Sequence, residues 1–390
     1  MDKRSVNLQR AQLAVLALTH FQADMFGNFL PPILPVLRER FSLSLVAVTV
    51  VMVVFYFVHN GIQVIIGHTR VNKEKPFLLQ VGLVLSSMIC LLTFLQGWPL
   101  VYPLLLLLVM VSGSGIGMTH NEGLRSVHAL DRLSPSVSTS IFMTGGYLGA
   151  AIGQVLAAFL VDKFDLKGLL ILMPLPVIVV SLVYAAKVRL AVDGGEEDEK
   201  KWRGVKNERY LFWYVAVMTV PASIGTFIIF WFVPTRLNEM GFALTFGGLS
   251  TMVFSFASTA GSFLWGIVAH KVRQMYCAII ALLIGVPVSF LYLYWMHSRW
   301  AVILLGIAGF CSTGAYVMFV TMARSAHGLK IGQRIGIMVG GTWAVAGVFV
   351  LAGVEFIKLG TLLYLAPVFY LISAGIGVYI LRKAKTAVSA

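Results

Sequence analysis

The sequence predicts an all-α polytopic membrane protein, with twelve transmembrane helices arranged as two pseudo-symmetric six-helix bundles. Hydrophobic residues make up 58% of the 390 and charged residues only 12%, and the mean hydropathy is +0.87. Apolar runs of about 20 residues, the length that crosses a bilayer, recur along the whole chain. A charged stretch in the middle separates six such runs from six more. A soluble domain is excluded by this composition. The net charge of +14 implies no nucleic-acid partner, because the bases sit in short segments between apolar runs, where they act as topology signals.

Taken in order, the apolar runs place helices near 11–37, 43–66, 77–97, from 102 onward, 137–161 and 168–187. Six more lie near 210–235, 244–269, 275–296, 300–324, 335–357 and 360–381. The domains expected are an N-terminal bundle over 1–187, a solvated cytoplasmic linker over 188–209 and a C-terminal bundle over 210–390. Met1 to Arg10 is basic and polar and leads into a full-length span, so no cleaved signal is expected. In the short loops, the side holding both termini carries 22 Lys and Arg residues against seven on the other. That bias puts both termini in the cytoplasm. Cys90, Cys277 and Cys311 all fall inside apolar runs, with neither metal spacing nor a disulfide framework.

The halves repeat at an offset of about 195 to 200 residues: Pro35 and Arg38 recur as Pro234 and Arg236, and Gly67 as Gly266. Thr144-Gly-Gly-Tyr-Leu-Gly149 likewise recurs near Val339-Gly-Gly-Thr-Trp343. Gly145, Gly149 and Gly153, at i, i+4 and i+8, read as a face for close helix packing and not as a nucleotide loop.

Ionisable residues inside a span cost roughly 2.5 to 3.5 kcal/mol each at a helix centre on insertion scales, so they mark functional positions. His20, Asp24 and Asn28 stack on one face of the first helix at i, i+4 and i+8. In the fourth, Gly113-Ser-Gly-Ile-Gly-Met-Thr-His-Asn-Glu-Gly-Leu-Arg125 carries a glycine-rich apolar run straight into His120, Asn121, Glu122 and Arg125. Hydropathy leaves two readings open there: the helix ends near Met118, or it continues and embeds the charges. Asp24 and Glu122 are the candidate proton carriers, with His20 modulating Asp24. Glu122 and Arg125, three apart, can neutralise each other, whereas His120 lies roughly 200° around the helix from Glu122. Asn28, His59, His120, Asn121 and Arg125 are the polar candidates for substrate binding in the N-half. Trp231, Tyr316 and Trp343 are the aromatic candidates in the C-half, with lipid-interface anchoring as the alternative for any one of them. No metal is expected, although His20, Asp24, His59, His120 and Glu122 form the ligand set of an alternative, a transition-metal or metal-chelate transporter.

Two stretches resemble the fosmidomycin-resistance family of major facilitator exporters. One is His20-x-x-x-Asp24 running to Phe41-Ser-Leu; the other is His120-Asn-Glu122-x-x-Arg125 followed by Gly145-Gly146-x-x-Gly149. Arg334-Ile-Gly-Ile-Met-Val-Gly340 is a weaker third match. The resemblance implies a major facilitator fold, efflux of the kind that confers antibiotic resistance, and a fourth helix that includes Glu122 and Arg125. Asn121 stands where that family has Pro, and the loop Gly67 to Lys75 lacks the superfamily's Asp. The expected function is therefore a proton-coupled secondary transporter of a small, anionic organic compound. Neither an enzyme nor a cofactor is expected, and no ATP-binding loop is present. The expected partners are substrate, protons and lipid, with the chain a monomer in a bacterial inner membrane.

Overall fold

The computed structural model describes residues 3–69, 74–133, 135–190, 210–312, 314–326, 334 and 337–389. The chain divides into two compact units, residues 1–44 with 50–203 and residues 45–49 with 204–390. Of the linker expected at 188–209, all beyond Leu190 lies outside the described residues. Ten helices among the described residues are long and apolar enough to span a membrane, and Thr342–Phe356 is a shorter apolar helix.

In the first unit the helices are α1 (Lys3–Gly27), α2 (Leu30–Arg40), α3 (Leu45–Thr69) from residue 50 onward and α4 (Phe77–Ser86), which continues as a 3-10 segment, Ser87–Leu95. Then come α5 (Val101–His128), α6 (Pro135–Phe164), a 3-10 turn over Leu166–Leu172 and α7 (Pro174–Ala185). The run expected at 11–37 is thus two helices, broken at Asn28 and Phe29. Pro31 and Pro32 have no N–H to offer the carbonyls of Gly27 and Asn28, so the ladder lapses there. The Asn28 side chain strengthens the turn, its Nδ2 donating to the Asp24 carbonyl at 2.8 Å.

In the second unit the helices are α8 (Phe212–Glu239), α9 (Leu244–Lys271), α10 (Gln274–Tyr294), α11 (Ala301–Ser312) and α12 (Tyr316–Ser325). A π-helical turn, Ile337–Gly341, leads into α13 (Thr342–Phe356), and α14 runs over Leu359–Ser389. The run expected at 300–324 is interrupted between Ser312 and Tyr316, where Gly314 lies against the Phe310 carbonyl. Within this unit α8 packs on α14 and α13, and α9 on α11.

Glycines set the distances between helices in the first unit. A Cβ on Gly145, Gly149 or Gly153 of α6 would overlap the carbonyl oxygen of Ala17, Phe21 or Met25 on α1. The two four-residue spacings are in register, and that is the packing face the sequence suggested. On α5, Gly113 and Gly117 face α3, where a Cβ would come 2.9 Å from the Phe55 oxygen and 2.6 Å from the His59 oxygen. Gly115 faces the other way, onto Gly82 of α4. Close approach of this kind maximises dispersion contact where no water is present to drive helices together.

Gly149→Ala should destabilise the protein by about 1 to 3 kcal/mol through overpacking, whereas Gly61→Ala, where no atom lies within 4 Å, should be neutral or slightly stabilising. Thermal unfolding of the two variants in detergent measures the difference; equal melting temperatures would mean that the α1–α6 contact is not glycine-limited.

Candidate functional site

α5 runs unbroken from Val101 to His128, so the longer of the two readings holds and His120, Asn121, Glu122 and Arg125 all lie on a helix. Because α6 draws α1 in through its glycines, and α5 draws α3 in through Gly113 and Gly117, three histidines and one carboxylate meet inside the first unit. Asp24 is at the centre. Its Oδ1 lies 2.8 Å from His120 Nε2 and its Oδ2 lies 3.3 Å from His20 Nε2. His120 Nδ1 in turn lies 3.0 Å from His59 Nε2. His20 Nδ1 lies 2.9 Å from the backbone oxygen of Phe142, and the Phe142 ring stacks on the imidazole at 4.2 Å between centroids.

The directions of these bonds follow from what each atom can do. A carbonyl oxygen only accepts, so His20 Nδ1 carries a proton. A neutral His20 would therefore turn the lone pair of Nε2 toward the Asp24 carboxylate. That contact is favourable only when a cation lies between them, whether a proton on Nε2 or another ion. On the other arm, His120 donates from Nε2 to Asp24 and accepts at Nδ1 from His59. His59 Nδ1 then ends the chain with no partner among the described residues.

Gly146, next to the packing glycine Gly145, has a different part. A Cβ there would lie 2.5 Å from both Asp24 Oδ2 and His20 Nε2. The missing side chain keeps open the space beside that pair. Sequence reasoning missed both Gly146 and Phe142; the tandem glycine was the available signal, since one glycine suffices for packing.

Glu122 is not part of this group. It is 0% exposed, and its Oε2 accepts the N–H of Leu79 at 2.8 Å. Leu79 sits in the first turn of α4, where backbone N–H groups have no partner within the helix and the dipole favours an anion. Asn121 donates from Nδ2 to the Gln63 carbonyl of α3 at 3.2 Å, and Arg125 is half-buried one turn beyond Glu122. Within the second unit, Tyr316 donates to the Met338 carbonyl in the π-turn at 2.8 Å. The Trp343 ring lies 5.9 Å from Tyr316 and 6.1 Å from Phe227. Trp231 is buried against Phe227, while Tyr316 and Trp343 remain half-buried. The Tyr370 hydroxyl meets Thr226 Oγ1 at 3.3 Å.

The sequence profile of the Major Facilitator Superfamily matches residues 16–351. The chain belongs to that superfamily. This facilitator is therefore a membrane transporter by family, and its family is not one of enzymes. It is 22% identical over 347 residues to the Fosmidomycin resistance protein of Escherichia coli (strain K12), covering 86% of this chain and 83% of that protein. An uncharacterized MFS-type transporter, YfnC of Bacillus subtilis (strain 168), is 21% identical over 343 residues, covering 84% of this chain and 82% of its own. Among solved structures, a bacterial homolog of the human lysosomal transporter Spinster, inward-facing and unoccupied, superposes with a TM-score of 0.74 at 12% identity. That match covers 96% of the facilitator and 97% of the homolog, and the occupied form of the same homolog gives 0.71. The likeness is one of fold.

Glu122→Met keeps the volume and apolar reach of the side chain but orphans the Leu79 N–H, and should cost about 1 to 3 kcal/mol. Glu122→Gln retains an acceptor and should cost less. Equal losses in detergent melting experiments would show that the acceptor role is not what this carboxylate supplies.

Proposed function

We propose that the protein is a proton-coupled secondary transporter that moves a small organic anion by alternating access, in the direction of export. The observation that carries this reading is the half-buried Asp24 carboxylate between two imidazoles, one of which needs a cation to face it favourably. A carboxylate in an apolar helix that can hold a proton with a neighbouring histidine is a site able to load and release that proton. The family assignment supports transport, and the inward-facing form of the Spinster homolog is one of the states that alternating access requires. Export and an antibiotic-like substrate are supported by the printed name of the Escherichia coli relative. We place the protein in a bacterial inner membrane as a monomer, with both termini cytoplasmic, on the loop bias of 22 bases against seven.

In this reading Asp24 and His20 hold the transported proton and His120 and His59 extend the chain that holds it. Arg125 provides the positive charge for the substrate, with Asn28 and Asn121 as polar neighbours. Tyr316, Trp231 and Trp343 offer an aromatic surface to its organic part. Glu122, the second acid, ties α5 to the start of α4 and supplies one negative charge to the balance.

That balance sets the sign of the pH dependence. Asp24 and Glu122 against Arg125 sum to minus one with every His neutral, so one bound proton brings the site to zero. An anion then binds better to the protonated form, with affinity gained on acidification and lost as pH rises. Between about pH 8 and about pH 6, around the ordinary histidine value, the affinity for an organic anion should rise. Calorimetric titration across that interval decides it, and a flat or falling affinity on acidification refutes the assignment. Asp24→Asn should insert normally and abolish substrate-driven proton flux in proteoliposomes, because it keeps the shape and removes the titrating group.

A further inference from the structure

We infer that His20, Asp24 and His120 form a site for a divalent transition-metal ion, held by His20 Nε2, the Asp24 carboxylate and His120 Nε2 with a fourth position open. The three ligand atoms lie within 4.8 Å of one another. Around a tetrahedral ion with bonds of about 2.0 to 2.2 Å, ligand atoms stand roughly 3.2 to 3.6 Å apart. The 2.8 Å contact is made to Asp24 Oδ1 and the 3.3 Å contact to Oδ2, and with all three ligand atoms within 4.8 Å of one another, side-chain movements of about an ångström bring them onto one ion. Two imidazoles and a carboxylate suit zinc, cobalt or nickel and do not suit magnesium or calcium, which take oxygen ligands.

Three further features point the same way. Each ligating imidazole is already oriented through its other nitrogen, His20 by the Phe142 carbonyl and His120 by His59, to whose Nε2 it donates from Nδ1 in the tautomer that frees its Nε2 for an ion. This is the outer support that metal-binding histidines characteristically have. The lone pair of His20 Nε2 faces a carboxylate, an arrangement that calls for a cation. Gly146 keeps clear the space beside that pair: a Cβ there would lie 2.5 Å from Asp24 Oδ2, 2.5 Å from His20 Nε2 and 2.6 Å from His20 Cε1, so a methyl group would force the two ligands out of place. Arg125 does not oppose binding through position on its helix. It follows His120 by five residues and so points about 140° away around α5.

The site goes beyond the transport reading and stands apart from the identity of any organic cargo. An ion there takes the place of the cation that the His20–Asp24 contact requires. Its test is binding, measured on the full-length protein purified in detergent without a polyhistidine tag. Co2+ should bind saturably at one ion per chain, with the visible absorption of a four- or five-coordinate nitrogen and oxygen site. Zn2+ should displace it and Mg2+ should not. Asp24→Asn and His120→Gln should each weaken binding by about tenfold or more. Gly146→Ala should weaken it comparably with all three ligands still present, and His297→Gln, on an exposed residue, should leave it unchanged. No saturable Co2+ band in the unmodified protein overturns the proposal, as does a band that survives both ligand substitutions. Should Gly146→Ala fail to fold, the unmodified protein and the two ligand variants still decide the matter. Metal binding with no transport of organic anions would sink the transport reading and leave this one standing; transport without metal binding would do the reverse.

Discussion

Everything in the first unit depends on how closely helix backbones can approach. In a bilayer, lipid tails are as apolar as leucine, so helices gain little from hiding side chains and much from dense contact. Gly145, Gly149 and Gly153 seat α6 against successive turns of α1, and Gly113 and Gly117 seat α5 against α3. Larger residues at these positions would push the helices apart. Bonds of 2.8 to 3.0 Å between side chains of three different helices, as at Asp24, His120 and His59, cannot survive such a displacement. The polar centre is thus a product of the smallest side chains around it.

The same constraint explains why the charges are tolerated. Asp24 and Glu122 are both acids in apolar helices, Asp24 half-buried and Glu122 fully buried, and the groups they meet differ in kind. Glu122 meets a backbone N–H at a helix start, a donor that cannot move or titrate. Asp24 meets two imidazoles, rings that can hold a hydrogen on either nitrogen. Two residues that look alike in a hydropathy plot are thereby given different chemistry by their neighbours.

Much of this was legible in the chain itself. Apolar runs of spanning length gave the helices, and the i, i+4 spacing of His20 and Asp24 gave the first contact of the site before any coordinates. The four-residue glycine spacing identified the α6 packing face. What spacing along one helix cannot give is the partner on another. His59 meeting His120, the Phe142 carbonyl behind His20 and Leu79 behind Glu122 all depend on rotations and offsets between helices that are separate in sequence. Helix breaks were hidden for a related reason. Pro31 and Pro32 sit in an unbroken hydrophobic stretch, so hydropathy runs straight across the gap at Asn28 and Phe29 that the missing N–H groups produce. The π-turn before Trp343 was equally silent, since a one-residue change in bond spacing leaves composition untouched.

The row of contacts from the Phe142 carbonyl through His20, Asp24 and His120 to His59 has one end that is chemically locked and one that is not. A backbone oxygen cannot be persuaded to donate, so the polarity of the first bond is permanent. His59 Nδ1, at the far end, is an imidazole nitrogen that can carry a hydrogen or lack one. Four helices, α6, α1, α5 and α3, each hold a link, so sliding any one of them past its neighbours cuts the row at a known place. The position of a whole helix is in this way written into the arrangement of a few hydrogens.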